Sequence, residues 1–224
     1  TIESVLNRAI GELTGEEIHV MGSSRTDAGV HACGNVAVFD TEARMAADKF
    51  SYALNQRLPE DIRIQDSCEV PADFHPRFQK TVKTYEYRIL NREFPLPAYR
   101  FNSHFTYRKL DVERMRQAAA YLIGEHDFQS FCAAGAQVKT TVRTIYALDV
   151  EKQGDLIILR ITGNGFLYNM VRIIAGTLMK IGQGDWEPER MPEILAGCDR
   201  QLAGPTAPAR GLTLMEIHFK GEKG

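Results

Sequence analysis

Asp27 stands in the stretch "SSRTDAGVHA", Ser23 to Ala32, with Arg25 two residues before it, Gly29 two after and His31 four after. Asp and Gly are turn formers, and Gly tolerates a positive φ. A carboxylate presented on a loop between two strands is well placed to meet a ligand. It could act there as a nucleophile or a base. The plain alternative is a capped turn with a surface ion pair. Arg172 is the second unusual residue. Met170, Val171, Ile173 and Ile174 surround it on a segment that is apolar nearly all round, and such a helix is normally buried. A buried guanidinium requires an anion: a structural Asp or Glu, a phosphate, or a catalytic carboxylate. Otherwise the side chain snorkels to solvent from the helix end. An Arg172–Asp27 pair would hold the carboxylate ionised and oriented.

Tyr85 and Tyr87 supply a third feature. Aromatic residues at period two on a strand usually belong to a core, yet here Arg77, Lys80, Lys83, Arg88 and Arg92 outnumber Glu86 and Glu93. Interleaved rings and cations suit stacking on unpaired bases along a phosphate backbone. His75, at the entry to this stretch, is weaker evidence and reads as a structural histidine. There is no phosphate-binding P-loop, no dinucleotide-binding glycine fingerprint, no zinc-protease helix and no nucleophile-elbow serine. Nucleotide hydrolysis, hydride transfer and zinc hydrolysis therefore lack support.

The elements that must position these groups read from hydrophobic spacing. Thr1 caps a helix carrying Ile2, Val5, Leu6, Ala9, Ile10 and Leu13, ended by Gly15. "EIHVM" and "NVAVFDT" are strands on either side of the Asp27 loop. Met45 to Leu58 is a helix stopped by Pro59, and "IRIQDSCEV" is extended. "KTYEYRIL" alternates with Tyr85, Tyr87 and Ile89 on one face. Asp111 caps a helix through Gly124. "TIYALDVEKQGDLIILRITG" is a hairpin turning at Gln153-Gly154. An apolar helix follows from about Gly165 to Ile181, then a short acidic helix in "DWEPERMPEILAG" and a last strand, "GLTLMEIHF". The fold class is α+β, with helices against a largely antiparallel sheet. "DFHPRFQKTV" connects two halves, 1–74 with Asp27 and 75–224 with the Tyr and Arg motifs.

With 224 residues the chain suits one large domain or two intimate smaller ones. A net charge of -2 is no advertisement for nucleic acid, but only the binding surface need be basic. Cys33, Cys68, Cys132 and Cys198 stand far apart, without metal-ligand spacing. They read as reduced, mostly buried thiols of a cytoplasmic protein. No membrane span, signal peptide or lipidation motif is apparent.

"RTDAGVHA", "DFHPRF", "KTYEYRI", "GEHDFQSF", "VRTI", "GFLYNMVRIIAG" and "APARGLTL" follow one another in register over nearly the whole chain. Together they resemble the TruA family of tRNA pseudouridine synthases. The resemblance implies two ferredoxin-like halves with joined sheets and a central cleft. It implies isomerisation of uridine to pseudouridine at positions 38 to 40 of the tRNA anticodon stem-loop, with no cofactor and no metal. It implies a homodimer in which one tRNA touches both subunits. By motif position, Asp27 corresponds to the catalytic aspartate, Tyr85 to the active-site tyrosine that contacts the target base, and Arg172 to the arginine that pairs with the aspartate. Arg25, His31, Lys83 and Arg88 are the candidates for holding RNA. A non-catalytic RNA-binding or RNA-folding protein on the same scaffold, and a small-molecule hydrolase using Asp27 and His31, are the competing readings. Ser24 stands where the family has glycine, so strain is expected if that position needs a positive φ. The family pattern opens with a strand and a Gly-Trp-Gln segment, and a leading segment is therefore expected outside this sequence. The acidic run from Asp185 to Glu193 is expected to face away from RNA.

Overall fold

The structure is a computed structural model and describes residues 1–135 and 138–219. In chain order its elements are α1 (Ile2–Thr14), β1 (Met21–Gly22), β2 (His31–Ala32), β3 (Ala37–Val38), α2 (Phe50–Asn55), β4 (Thr81–Asn91), β5 (His104–Thr106), α3 (Val112–Ala120), β6 (Gly124–Asp127), β7 (Val142–Gln153), β8 (Leu156–Gly163), α4 (Met170–Gly182), α5 (Arg190–Gly197) and β9 (Leu212–Phe219). The class is α+β with a mostly antiparallel sheet, as the sequence predicts. None of the helices is long and apolar enough to cross a membrane, among the described residues.

The chain divides into two compact units. The first holds Thr1–Arg25 and Asn35–Gln79; the second holds Thr26–Gly34 and the chain from Lys80 onward. In the first unit Thr1 closes a capping box with Ser4, and Gly15 ends α1 in the left-handed conformation at φ +77°. Ala9 and Ile10 of α1 pack with Ile18, Val20, Phe50, Leu54 and Leu58. The two strands expected around the Asp27 loop shorten to a ladder of two residue pairs, Met21 with Val38 and Gly22 with Ala37. Side chains satisfy neighbouring backbone instead: Val20 N donates to Asn7 Oδ1 at 2.8 Å. The helix expected over 45–58 is a 3-10 turn at Ala47–Lys49 followed by α2. The extended segment after it has no ladder, but Asn55 bonds both the N–H and the carbonyl of Ile64.

The second unit is built on a sheet in the order β2-β9-β4-β8-β7-β6, with β5 beside β4. The β7–β8 hairpin turns at Gly154, φ +61°. α3 and α4 pack on each other, and α4 also packs on β4. Asp111 caps α3 by accepting from Glu113 N and Arg114 N, but α3 ends at Ala120 and not at Gly124, which opens β6 at φ +109°. The core between helices and sheet contains Tyr87, Ile89, Met115, Phe128, Ile145, Leu159, Ile161, Ile173 and Leu178. α4 begins at Met170, five residues after the position that hydrophobicity suggests, because Asn169 adopts φ +60°. β2, β5 and β6 are short strands that periodicity does not reveal.

β2 decides where the Asp27 loop belongs. It pairs in parallel with β9, His31 with Thr213 and Ala32 with Leu214, so a loop from the first half of the sequence is part of the second unit. The cysteines are free, but none is buried: Cys33 and Cys68 are exposed, Cys132 and Cys198 half-buried. Ser24 is not among the described non-glycine residues with positive φ, which are Asn169 and Cys198, so the expected strain is absent.

Candidate active site

Asp27 opens a tight turn. Val30 N donates to Asp27 O at 3.0 Å, and Gly29 takes φ +82°, a conformation a side-chain-bearing residue rarely adopts. Val30 then packs on the core and β2 joins the sheet. The turn is thus fixed immediately behind the carboxylate, which stays about one-third exposed at 36%.

Arg172 comes from the first turn of α4 and is 17% exposed. The positive end of a helix dipole disfavours a cation there. Three acceptors compensate for it. Nε donates to Ala207 O at 2.7 Å, and Nη1 donates to Asn169 Oδ1 at 2.7 Å and to Asp27 Oδ2 at 3.0 Å. Ala207 N in turn donates to Arg172 O at 3.1 Å. The guanidinium is therefore locked at three points, and the carboxylate it meets has a defined position.

Tyr85 lies on β4, whose alternation against β8 is unbroken from Lys83 to Leu90. Its Cα partner on β9 is Leu214, which also pairs with Ala32 of β2. Two strand spacings of about 4.8 Å thus separate Tyr85 from the strand that follows the Asp27 turn. The ring is nearly buried and meets Phe166 edge-on at 5.2 Å. Phe166 belongs to the loop that leads into α4, so Tyr85 touches the segment that delivers Arg172. Tyr87, next on the same face, is wholly buried and donates its hydroxyl to Pro208 O at 2.9 Å. Burial pushes its ionisation well above the ordinary tyrosine value, against the opposing charges of Arg172 and Arg210.

The proposed RNA contacts separate. Lys83 shares the Tyr85 face by strand alternation, and burial lowers its ammonium below the usual lysine range. No ion pair of Lys83 occurs among the described residues. His31 is exposed, and its Nε2 bonds Phe101 O at 2.6 Å. Arg25 is exposed and belongs to the first unit. Arg88 lies on the opposite face of β4. It and Arg160 clamp the buried Glu86 at 2.6 and 2.9 Å. Burial raises the Glu86 carboxyl, but the hydrogen bonds from Arg160 and Arg88 outweigh it and leave the group below its ordinary value. The structure does not bring Arg88 to Asp27. The start of the acidic run is paired in place: Asp185 binds Arg108 and Lys180, and Glu187 binds Arg114. Among the described residues no group of three His, Cys, Asp or Glu could hold a metal ion.

The sequence model of the tRNA pseudouridine synthase family matches residues 1–79 and 118–220, which include Asp27 and Arg172. The chain belongs to this family. A protein named tRNA pseudouridine synthase A from Brevibacillus brevis is 50% identical over 220 residues, covering 98% of this chain and 90% of that one. Proteins of the same name from Acetivibrio thermocellus and Ruminiclostridium cellulolyticum are 46% and 48% identical, with the same coverage of both chains. Reasoning from residue types alone overlooked three groups in the arrangement around Arg172 and Tyr87. They are Asn169, whose tolerance of positive φ was the available signal, and the Ala207 and Pro208 carbonyls, which no side chain advertises.

Proposed function

We propose that the protein is a tRNA pseudouridine synthase that isomerises uridine in the anticodon stem-loop, at positions 38 to 40, with Asp27 as the catalytic carboxylate. The observation that carries this reading is the Arg172–Asp27 pair, 3.0 Å long and built from a turn and a helix 145 residues apart. The names of the relatives supply the substrate class.

In the reaction the N1–C1′ bond breaks, the uracil turns, and a C5–C1′ bond forms. The proton leaves C5 and N1 ends protonated, so atoms and electrons balance without a cofactor. The target nucleotide must first leave its stack, at a cost of a few kcal/mol. Tyr85 borders the extruded base, and Lys83 lies on the same strand face to meet RNA. Asp27 acts at the sugar or at C6, as nucleophile or base. Arg172 holds Oδ2 in place as water leaves the site. We further propose a cytoplasmic homodimer, with one tRNA touching both subunits.

Release of tritium from tRNA carrying 5-tritiated uridine tests the activity. The protein should release it and the Asp27→Ala variant should not. A non-catalytic RNA-binding protein would release none in either form, and that result would refute the proposal.

A further inference from the structure

The segment after Gly204 does more than supply carbonyls to Arg172 and Tyr87. Ala207 is bonded to Arg172 in both directions, and Pro208 O accepts the Tyr87 hydroxyl. A methyl placed on Gly211 would meet the Tyr87 ring at 2.7 Å and Arg88 O at 3.0 Å, so the backbone sits tightly on β4 there. A methyl on Gly29 would meet Ala209 Cβ at 3.5 Å. The 3-10 turn Ala209–Gly211 therefore packs tightly on the tyrosine strand and lies beside the Asp27 turn. From this rigid turn Arg210 projects into solvent.

Among the described residues, Arg210 differs from five other arginines in holding no carboxylate. Arg88, Arg108, Arg114, Arg160 and Arg172 each hold a carboxylate. No ion pair or hydrogen bond involves the Arg210 guanidinium among the described residues. Its charge is felt by Tyr87 and by the half-buried His104, whose ionisation is lowered first by burial and then by Arg210. The site needs such a group. An RNA strand that presents a nucleotide to Asp27 brings phosphates toward a carboxylate, and the guanidinium of Arg172 is already committed to that carboxylate. A planar, always charged fork on a preorganised backbone matches a phosphodiester.

We propose that Arg210 binds a backbone phosphate of the RNA next to the nucleotide presented to Asp27. This rests on the pseudouridine synthase reading. It adds a substrate-binding residue, not one that touches the reacting atoms.

The test compares Asp27→Ala with Asp27→Ala/Arg210→Gln for binding of an unmodified tRNA transcript over a range of salt concentrations. Arg210→Gln alone is followed by tritium release and thermal melting. Loss of one charge-assisted contact should raise Kd by about tenfold. It should also make the slope of log affinity against log salt shallower by about 0.7 to 0.9. Turnover at saturating RNA should stay within about threefold of the parent, since a ground-state binding contact alters KM more than kcat. The melting midpoint should not move, and Arg210→Lys should restore the salt slope but only part of the affinity. Unchanged Kd and salt slope would overturn the assignment, as would a fall in turnover with Kd intact. Failure of the parent protein to release tritium would instead refute the proposed activity, and the binding comparison would still decide Arg210.

Discussion

Asp27 Oδ2 and Arg172 Nη1 lie 3.0 Å apart, and each residue is held from behind by backbone. Asp27 is fixed by the Gly29 turn and by β2 on the edge of the main sheet. Arg172 is fixed by the Ala207 carbonyl and the Asn169 side chain. Each half of the pair thus has a support besides the other. Under the proposed function, such a pair should act in transition-state stabilisation more than in holding the fold together.

Arg172→Met should therefore lower turnover by about 10²-fold or more, the scale seen when one preorganised donor is removed. Its effect on RNA affinity should be within about threefold. Arg172→Lys should not rescue it, because a single ammonium cannot meet Asp27, Asn169 and Ala207 in the geometry of a fork. Single-turnover rates at saturating tRNA, beside Kd from direct binding, separate the two effects. Equal losses in rate and affinity would contradict this role.

Asn169 does two jobs that substitution can separate. It adopts φ +60° at the start of α4, and its Oδ1 accepts from Arg172. Asn169→Gly keeps the backbone conformation and removes the acceptor, so turnover should fall while stability changes little. Asn169→Ala adds the left-handed penalty of about 1 kcal/mol. Urea unfolding of the two variants, compared with their rates, should show similar activities but a lower midpoint for alanine.

Gly176 lets α4 approach the segment that carries Ala207. A Cβ there would overlap the Pro205 carbonyl. Gly176→Ala must push that segment away, at a cost of about 1–3 kcal/mol. Because Ala207 binds Arg172, the same displacement should reduce turnover. Denaturation midpoint and tritium-release rate should fall together. A stable variant with full activity would show that the close approach is dispensable.

The contact between Asp27 and Arg172 was more legible than the local architecture around it. Asp27 between turn formers and Arg172 on an apolar helix each carry a sign of unusual cost, a charge where the pattern expects none. Tyr85 and Tyr87 follow from strict alternation on β4, and Gly15, Asp111 and Gly154 mark their caps and turn by residue type. The short strands β1, β2 and β3 were not legible at their true lengths, because tertiary pairing decides them and two residues show no period. The partner of Arg88 was not legible for the opposite reason. Its basic neighbourhood suggested RNA, but strand alternation puts it with Glu86, and a buried carboxylate claims the nearest cations. The cysteines looked buried by type and lie near the surface.

The acidic run makes a prediction in pH. Hydrogen bonds from Arg108 and then Lys180 hold the Asp185 carboxyl down from its ordinary 3.8 to about 2. An unfolded chain titrates the same group at about 3.9. The folded value is the lower one, so the ion pairs stabilise the fold fully above about pH 4. That contribution is lost as pH falls from about 4 to about 2. Asp185→Asn removes this group and leaves Arg108 and Lys180 without it. The variant should melt below the parent at pH 6, and the gap should close as pH approaches 2. Buried Glu86, also depressed by Arg160 and Arg88, keeps part of the acid limb in both proteins. Melting midpoints of parent and variant measured at half-unit steps from pH 2 to 6 check this. Curves that stay parallel over that range would show that the Asp185 pairs contribute nothing to stability.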